Sequence, residues 1–105
     1  MLEIMDSLYQ IDEIKEKLRP IFQNAPIHRA ILFGSYANGA ATERSDVDIV
    51  IDSRGELLNI KFFGLLEDII STLGKKVDLI EISELRQGSP ILDEISDKGV
   101  LLYER

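Results

Sequence analysis

Two groups of residues that could do chemistry lie close together in the stretch "GSYANGAATERSDVDIV", residues 34–50. Gly34 and Ser35 follow an apolar run, and Asp46 and Asp48 open the next one. Two carboxylates placed this closely repel each other unless something cationic lies between them. Water, a basic side chain or a metal ion could fill that position, so the stretch raises the question of which one does.

A third carboxylate belongs to the same question. Residues two apart in a strand point to the same face, so Asp46 and Asp48 should share a face of the predicted strand at 47–51. Asp78 lies between apolar residues in a later predicted strand. If the two strands are neighbours, three carboxylates meet, and hard oxygen ligands of this kind suit Mg²⁺, which often takes its remaining ligands from a nucleotide's phosphates.

Gly34 and Ser35 lie where a predicted strand turns into a short helix. Backbone N–H groups at such a turn can hold a phosphate, the glycine allows close approach, and the Ser35 hydroxyl can donate a hydrogen bond. Each feature alone is weak, because D-x-D and Gly-Ser pairs most often belong to ordinary turns. Together they predict metal-dependent phosphoryl or nucleotidyl transfer.

The elements that must position these residues follow the order α-β-(short helix)-β-α-β-α-β. The class is therefore α/β, of the mixed α+β type, in a single domain over residues 1–105. A capping box from Ser7 to Gln10 predicts the start of the first helix, and Pro20 predicts that it kinks there or ends near Leu18. The other predicted elements are strands at 28–33, 47–51 and 76–82, helices at 58–73 and 90–98, and a closing strand or apolar tail at 100–104.

Composition excludes several classes of protein. The 105 residues include no cysteine and one histidine, which excludes disulfides, thiolate metal sites and a multi-histidine zinc site. The net charge of −7 argues against a surface that binds long nucleic acid. The first ten residues do not resemble a signal peptide, and no apolar stretch approaches the roughly 20 residues that span a bilayer. We therefore expect a cytoplasmic protein.

The spacing of these residues resembles a known signature. Ten residues separate Ser35 from Asp46, and the stretch resembles the GS-x10-D-x-D pattern of the DNA polymerase β-like nucleotidyltransferase superfamily. Within it the chain looks like the minimal nucleotidyltransferases, known as MNT proteins or MntA antitoxins. The resemblance covers nearly the whole chain, and its other segments are "GSYANG", "SDVDIVID", "VDLIEI" and "KGVLLYER".

That resemblance implies a mixed sheet flanked by helices, two Mg²⁺ ions and ATP as the donor. By position, Asp46, Asp48 and Asp78 become the catalytic and metal-binding residues. The nucleotide-binding set carried over from the family is Gly34, Ser35, Asn38 and Ser45. The resemblance also implies a HEPN-domain toxin as partner, to which active members transfer AMP on a tyrosine hydroxyl.

One departure from the family pattern keeps two functions open. Many members carry arginine at the position of Asn38, as in "GSxARG", and asparagine does not supply that charge to the nucleotide. The first hypothesis is an enzyme that adenylylates a protein hydroxyl, which the intact set of three aspartates favours. The second is a module that neutralises a toxin by docking alone. Transfer of a nucleotide to an antibiotic is a weaker hypothesis, because 105 residues leave no second domain to hold a small acceptor.

Overall fold

A computed structural model of the chain describes residues 8–105. Its elements are α1 (Ile11–Gln23), β1 (Arg29–Phe33), α2 (Ser35–Asn38), β2 (Val47–Asp52), α3 (Ile60–Leu73), β3 (Val77–Glu81), a 3-10 turn (Ile82–Glu84), α4 (Pro90–Lys98) and β4 (Val100–Glu104). The predicted order of helices and strands is confirmed, and the segment 100–104 is a strand rather than a tail.

The four strands form one mixed sheet in the order β3-β2-β1-β4. β1 pairs antiparallel with both β2 and β4, whereas β2 and β3 are parallel. The two strands that carry the predicted site are therefore neighbours. The sheet and the helices against it confirm the mixed α/β class.

Helix α1 begins later than the sequence predicts, and the structure excludes one of the two alternatives for its course at Pro20. It begins after Gln10, whose N–H donates to the Glu13 side chain in a capping box, while Ser7 lies outside the described residues. It continues through Pro20 to Gln23, so it does not end near Leu18. Phe22, beyond the proline, is 1% exposed and packs in the core, and burying a large side chain offsets much of the roughly 3 kcal/mol that an internal proline costs.

The core lies between one face of the sheet and the helices α1 and α3. It contains Ile14, Leu18 and Phe22 of α1, Leu65, Ile69 and Leu73 of α3, and the strand residues Ala30, Leu32, Val47, Ile49, Ile51, Leu79 and Leu102. Helix α3 begins at Ile60, so Leu58 precedes the helix instead of opening it. Ser89 caps α4, and Pro90 is its first residue, which confirms the predicted start of this helix at residue 90. Within residues 8–105 no helix has the length and apolar character to cross a membrane.

Candidate active site

Asp48 and Asp78 lie at the same level on adjacent strands. They are paired Cα partners in the parallel ladder of β2 and β3. Asp48 is partly buried, while Asp78 is exposed on β3, an edge strand of the sheet. Asp46 is exposed and comes immediately before β2 begins at Val47. The expectation that the two strands are neighbours is thus confirmed, and it brings two of the three aspartates to one level.

The electrostatics of Asp48 reflect this arrangement. Its pKa is raised from 3.8 to about 6, first because burial disfavours the charged form and then because the carboxylates of Asp78, Asp46 and Glu94 repel its charge. A pKa raised by burial together with neighbouring like charges is typical of functional sites. Asp48 is therefore the residue of the site on which the neighbouring carboxylates act.

Gly34 is shaped by its contact with Asp48. Its φ of 72° and ψ of −153° lie in a region that side-chain-bearing residues avoid. A Cβ atom at this position would stand 2.1 Å from Asp48 Oδ2. Only glycine therefore lets the turn between β1 and α2 lie directly against the Asp48 carboxylate.

A fourth carboxylate, which the sequence did not reveal, completes the surroundings of Gly34. The Gly34 N–H donates to Glu94 Oε2 at 2.7 Å, from a residue 60 positions away on α4. The anion at this turn is thus one of the protein's own side chains. The sequence predicts only that this segment is a helix, because a contact across 60 residues leaves no local signal.

The other residues of the predicted nucleotide-binding set form hydrogen bonds within the segment 35–45. Ser35 begins α2, and its carbonyl accepts from the Ala40 N–H at 3.0 Å. The exposed Asn38 also accepts from that N–H, through Oδ1 at 3.0 Å. Ser45 Oγ accepts from the Thr42 N–H at 2.8 Å and so shapes the loop before Asp46. These bonds shape the segment that joins Ser35 to Asp46. Nucleotide contact by Asn38 or Ser45 stays a prediction.

Lys75 contacts both helix α2 and the loop that leads to Asp46. Its side chain is 3% exposed, and Nζ donates to the Glu43 carbonyl at 2.7 Å. Nζ also lies 5.9 Å from the centroid of the Tyr36 ring on α2. Two adjacent lysines at the entry to a strand are usually both solvated, which holds for the exposed Lys76 and not for the buried Lys75.

The donor chemistry of the site fits a hard divalent cation. Asp46, Asp48 and Asp78 supply carboxylate oxygens, the ligands that Mg²⁺ prefers. A cation would also relieve the repulsion that raises the pKa of Asp48. In the part of the chain that the structure describes, no group of three or more acidic or histidine side chains is arranged to hold a metal ion. The three aspartates would therefore have to adjust around an ion.

Two residues near the ends of the strands have ordinary structural roles. Asp52 Oδ1 accepts from the Arg54 N–H at 3.0 Å, so Asp52 shapes the turn that follows β2. His28 uses its backbone to pair with Asp52 and Arg105. Neither observation connects His28 to Asp48 or Asp78.

The family model for "Polymerase beta, Nucleotidyltransferase" matches residues 16–105. This chain belongs to that nucleotidyltransferase family. The match extends from the first helix to the last strand and includes every residue of the candidate site. It also confirms the resemblance that the spacing of Ser35, Asp46 and Asp48 indicates.

The nucleotidyltransferase has relatives of the same size. It is 38% identical over 88 residues to the protein adenylyltransferase MntA of Thermococcus cleftensis, covering 80% of this chain and 86% of that one. A chain in the crystal structure of a toxin–antitoxin with AMP-PNP has a TM-score of 0.74 at 24% identity, with 87% of this chain and 73% of that chain covered. A chain in the complex of the tri-AMPylated Shewanella oneidensis HEPN toxin with the MNT antitoxin has a TM-score of 0.69 at 21% identity, covering 90% and 73%. At these identities the solved structures show that the fold is shared.

Proposed function

We propose that this nucleotidyltransferase is an antitoxin that transfers AMP from ATP, with Mg²⁺, to a tyrosine hydroxyl of a HEPN-domain toxin. The observation that carries the proposal is the pairing of Asp48 with Asp78, beside a glycine whose missing side chain lets the turn lie against the Asp48 carboxylate. The Thermococcus relative supports AMP as the group transferred. The toxin–antitoxin complexes with the same fold support the class of partner.

The reaction requires one bond to form and one to break. The acceptor hydroxyl oxygen bonds to the α-phosphorus of ATP, the bond from that phosphorus to the β-phosphate bridging oxygen breaks, and pyrophosphate leaves. The hydroxyl proton passes to a base, and we assign this role to Asp78. Asp78 is exposed on an edge strand, where a hydroxyl on the surface of another protein can approach it.

The other site residues bind and orient the nucleotide. Asp46, Asp48 and Asp78 would hold Mg²⁺, which neutralises charge on the phosphates and on the attacking oxygen. Gly34 and Ser35 would hold the triphosphate, with the Ser35 hydroxyl donating to a phosphate oxygen. Asn38 and Ser45 would complete the nucleotide site from the loop that joins α2 to β2.

The decisive experiment is mass spectrometry of the partner after incubation with this protein, ATP and Mg²⁺. The wild type should add AMP-sized mass to a tyrosine. Asp78→Asn should reduce the rate by about 10²-fold or more, since a general base contributes at least that much, while the two proteins still form a complex. Asp68→Asn removes an acid from the exposed face of α3 and is the matched control that should retain full activity.

Neutralisation by docking alone is the second candidate, and two observations favour it. Asn38 brings no positive charge and is engaged with Ala40, and the Gly34 N–H is already bonded to Glu94. If the wild type suppresses the toxin without adding mass, this second function replaces the first. If Asp78→Asn loses both AMP transfer and suppression of the toxin, neutralisation by docking alone is excluded.

A further inference from the structure

Glu94 makes the contact that a phosphate oxygen would make in the proposed nucleotide site. Its Oε2 accepts from the Gly34 N–H at 2.7 Å, at the turn that precedes α2. Carboxylate and phosphate oxygens are both anionic acceptors that form short, charge-assisted bonds with backbone N–H groups. A phosphate that binds Gly34 must therefore replace Glu94.

The replacement takes place among other negative charges. Glu94 lies close enough to Asp48 to act on its charge, together with Asp46 and Asp78. The repulsion that a fixed carboxylate exerts grows with the negative charge of the arriving ligand. Metal-free triphosphate carries more negative charge than its Mg²⁺ complex, and the bound ion also offers a positive charge to the carboxylates around it.

We propose that Glu94 is a selectivity residue of the nucleotide site, which occupies the Gly34 N–H and thereby favours metal-bound triphosphate over metal-free anions. The inference rests on the proposed function, in which Gly34 holds the triphosphate. It goes beyond that function because it assigns a role to a residue of α4 that lies outside the GS-x10-D-x-D signature.

The test compares ligand affinity with and without metal in two variants. Calorimetry would measure binding of ATP with Mg²⁺, and of ATP and inorganic triphosphate in EDTA. Glu94→Ala frees the N–H and removes the charge, so metal-free ligands should bind about tenfold tighter and Mg²⁺-ATP only about threefold tighter. Glu94→Gln keeps an acceptor for Gly34 and removes only the charge, so it should give the same direction with smaller gains.

Asp97→Asn is the matched control. It removes one acid from the exposed surface of the same helix, and it should leave both affinities and their ratio unchanged. The Gly34 amide in a ¹⁵N–¹H spectrum supplies an independent readout. Its resonance should move when Mg²⁺-ATP is added to the wild type and when Glu94 is replaced by alanine, but not in Asp97→Asn.

The outcomes separate this inference from the proposed function. If the wild type binds Mg²⁺-ATP and Glu94→Ala changes both affinities by the same factor, Glu94 is not a selectivity residue and the nucleotidyltransferase proposal stands. If the wild type binds Mg²⁺-ATP and the Gly34 amide does not respond to it, the phosphate lies elsewhere and the inference fails. If neither protein binds ATP in any form, both proposals fail.

Discussion

At the scale of single residues, the centre of the site is a carboxylate whose charged form is disfavoured in the folded chain. Asp48 is partly buried, and three other acids act on it. Its pKa of about 6 in the folded chain exceeds the ordinary value of 3.8. The folded state therefore binds more protons than the unfolded state between these two values, and the contribution of Asp48 to stability falls as the pH rises through that window.

Replacing Asp48 by asparagine should consequently stabilise the apoprotein. Above about pH 7 the gain in the free energy of unfolding should be about 1–2 kcal/mol, allowing for screening by solvent of a side chain that is only partly buried. The gain should fade as the pH falls toward about 4, where the wild-type carboxyl is also neutral. Urea unfolding of both proteins across this range measures it. A gain that does not depend on pH would show that repulsion is not its source.

Gly34 and Gly39 offer a comparison of backbone strain with steric contact. Both have positive φ, 72° and 81°, but a Cβ would meet Asp48 at Gly34 and nothing within 4 Å at Gly39. We expect either alanine variant to lose about 1–3 kcal/mol of stability from backbone strain, with the larger loss at Gly34, where the conformation is closed to other residues.

Only Gly34→Ala should also displace the Asp48 carboxylate. Mg²⁺-ATP turnover should therefore fall at least about tenfold in Gly34→Ala, because the proposed metal ligand is moved, and remain close to the wild-type rate in Gly39→Ala. Unfolding curves and turnover measured on the same samples separate the two effects. Equal turnover in the two variants would show that Gly34 does not belong to the site.

At the scale of elements, local patterns predict helices and strands, while contacts between elements decide which side chains meet. Ser89, Pro90 and Gly99 predict the limits of α4 from chemistry within a single segment. The contact between Glu94 and Gly34 and the burial of Lys75 have no such local signal, because each depends on how distant elements pack. The continuation of α1 past Pro20 has the same origin, since it depends on the place of Phe22 in the core.

The two lysines before β3 give a test at this scale. Lys75→Met should lose about 1–3 kcal/mol of stability, because it removes a buried donor to the Glu43 carbonyl, and it should lower turnover by loosening the loop that leads to Asp46. Lys76→Met changes the adjacent, exposed lysine in the same way and should alter neither quantity appreciably. Unfolding by urea and turnover with Mg²⁺-ATP are the two measurements. Similar losses in both variants would mean that charge, rather than the contact with Glu43, accounts for them.

At the scale of the whole molecule, the charge of −7 and the cluster of acids around Asp48 both predict that salts stabilise the fold, but for different reasons. Screening of the net charge should depend on ionic strength alone. Binding of Mg²⁺ by Asp46, Asp48 and Asp78 should depend on the ion itself, by the free energy with which a ligand stabilises the folded state.

Thermal unfolding at matched ionic strength separates these two effects. With Mg²⁺ at about ten times its dissociation constant, the wild type should gain about 1.4 kcal/mol, which corresponds to a rise in Tm of roughly 5–10 °C for a domain of this size. NaCl at the same ionic strength should raise the Tm by less. In Asp48→Asn the two salts should give nearly equal shifts, because the variant lacks the partly buried member of the proposed ligand set. If Mg²⁺ stabilises the variant as much as the wild type, the ion binds elsewhere on the acidic surface and the three aspartates are not its site.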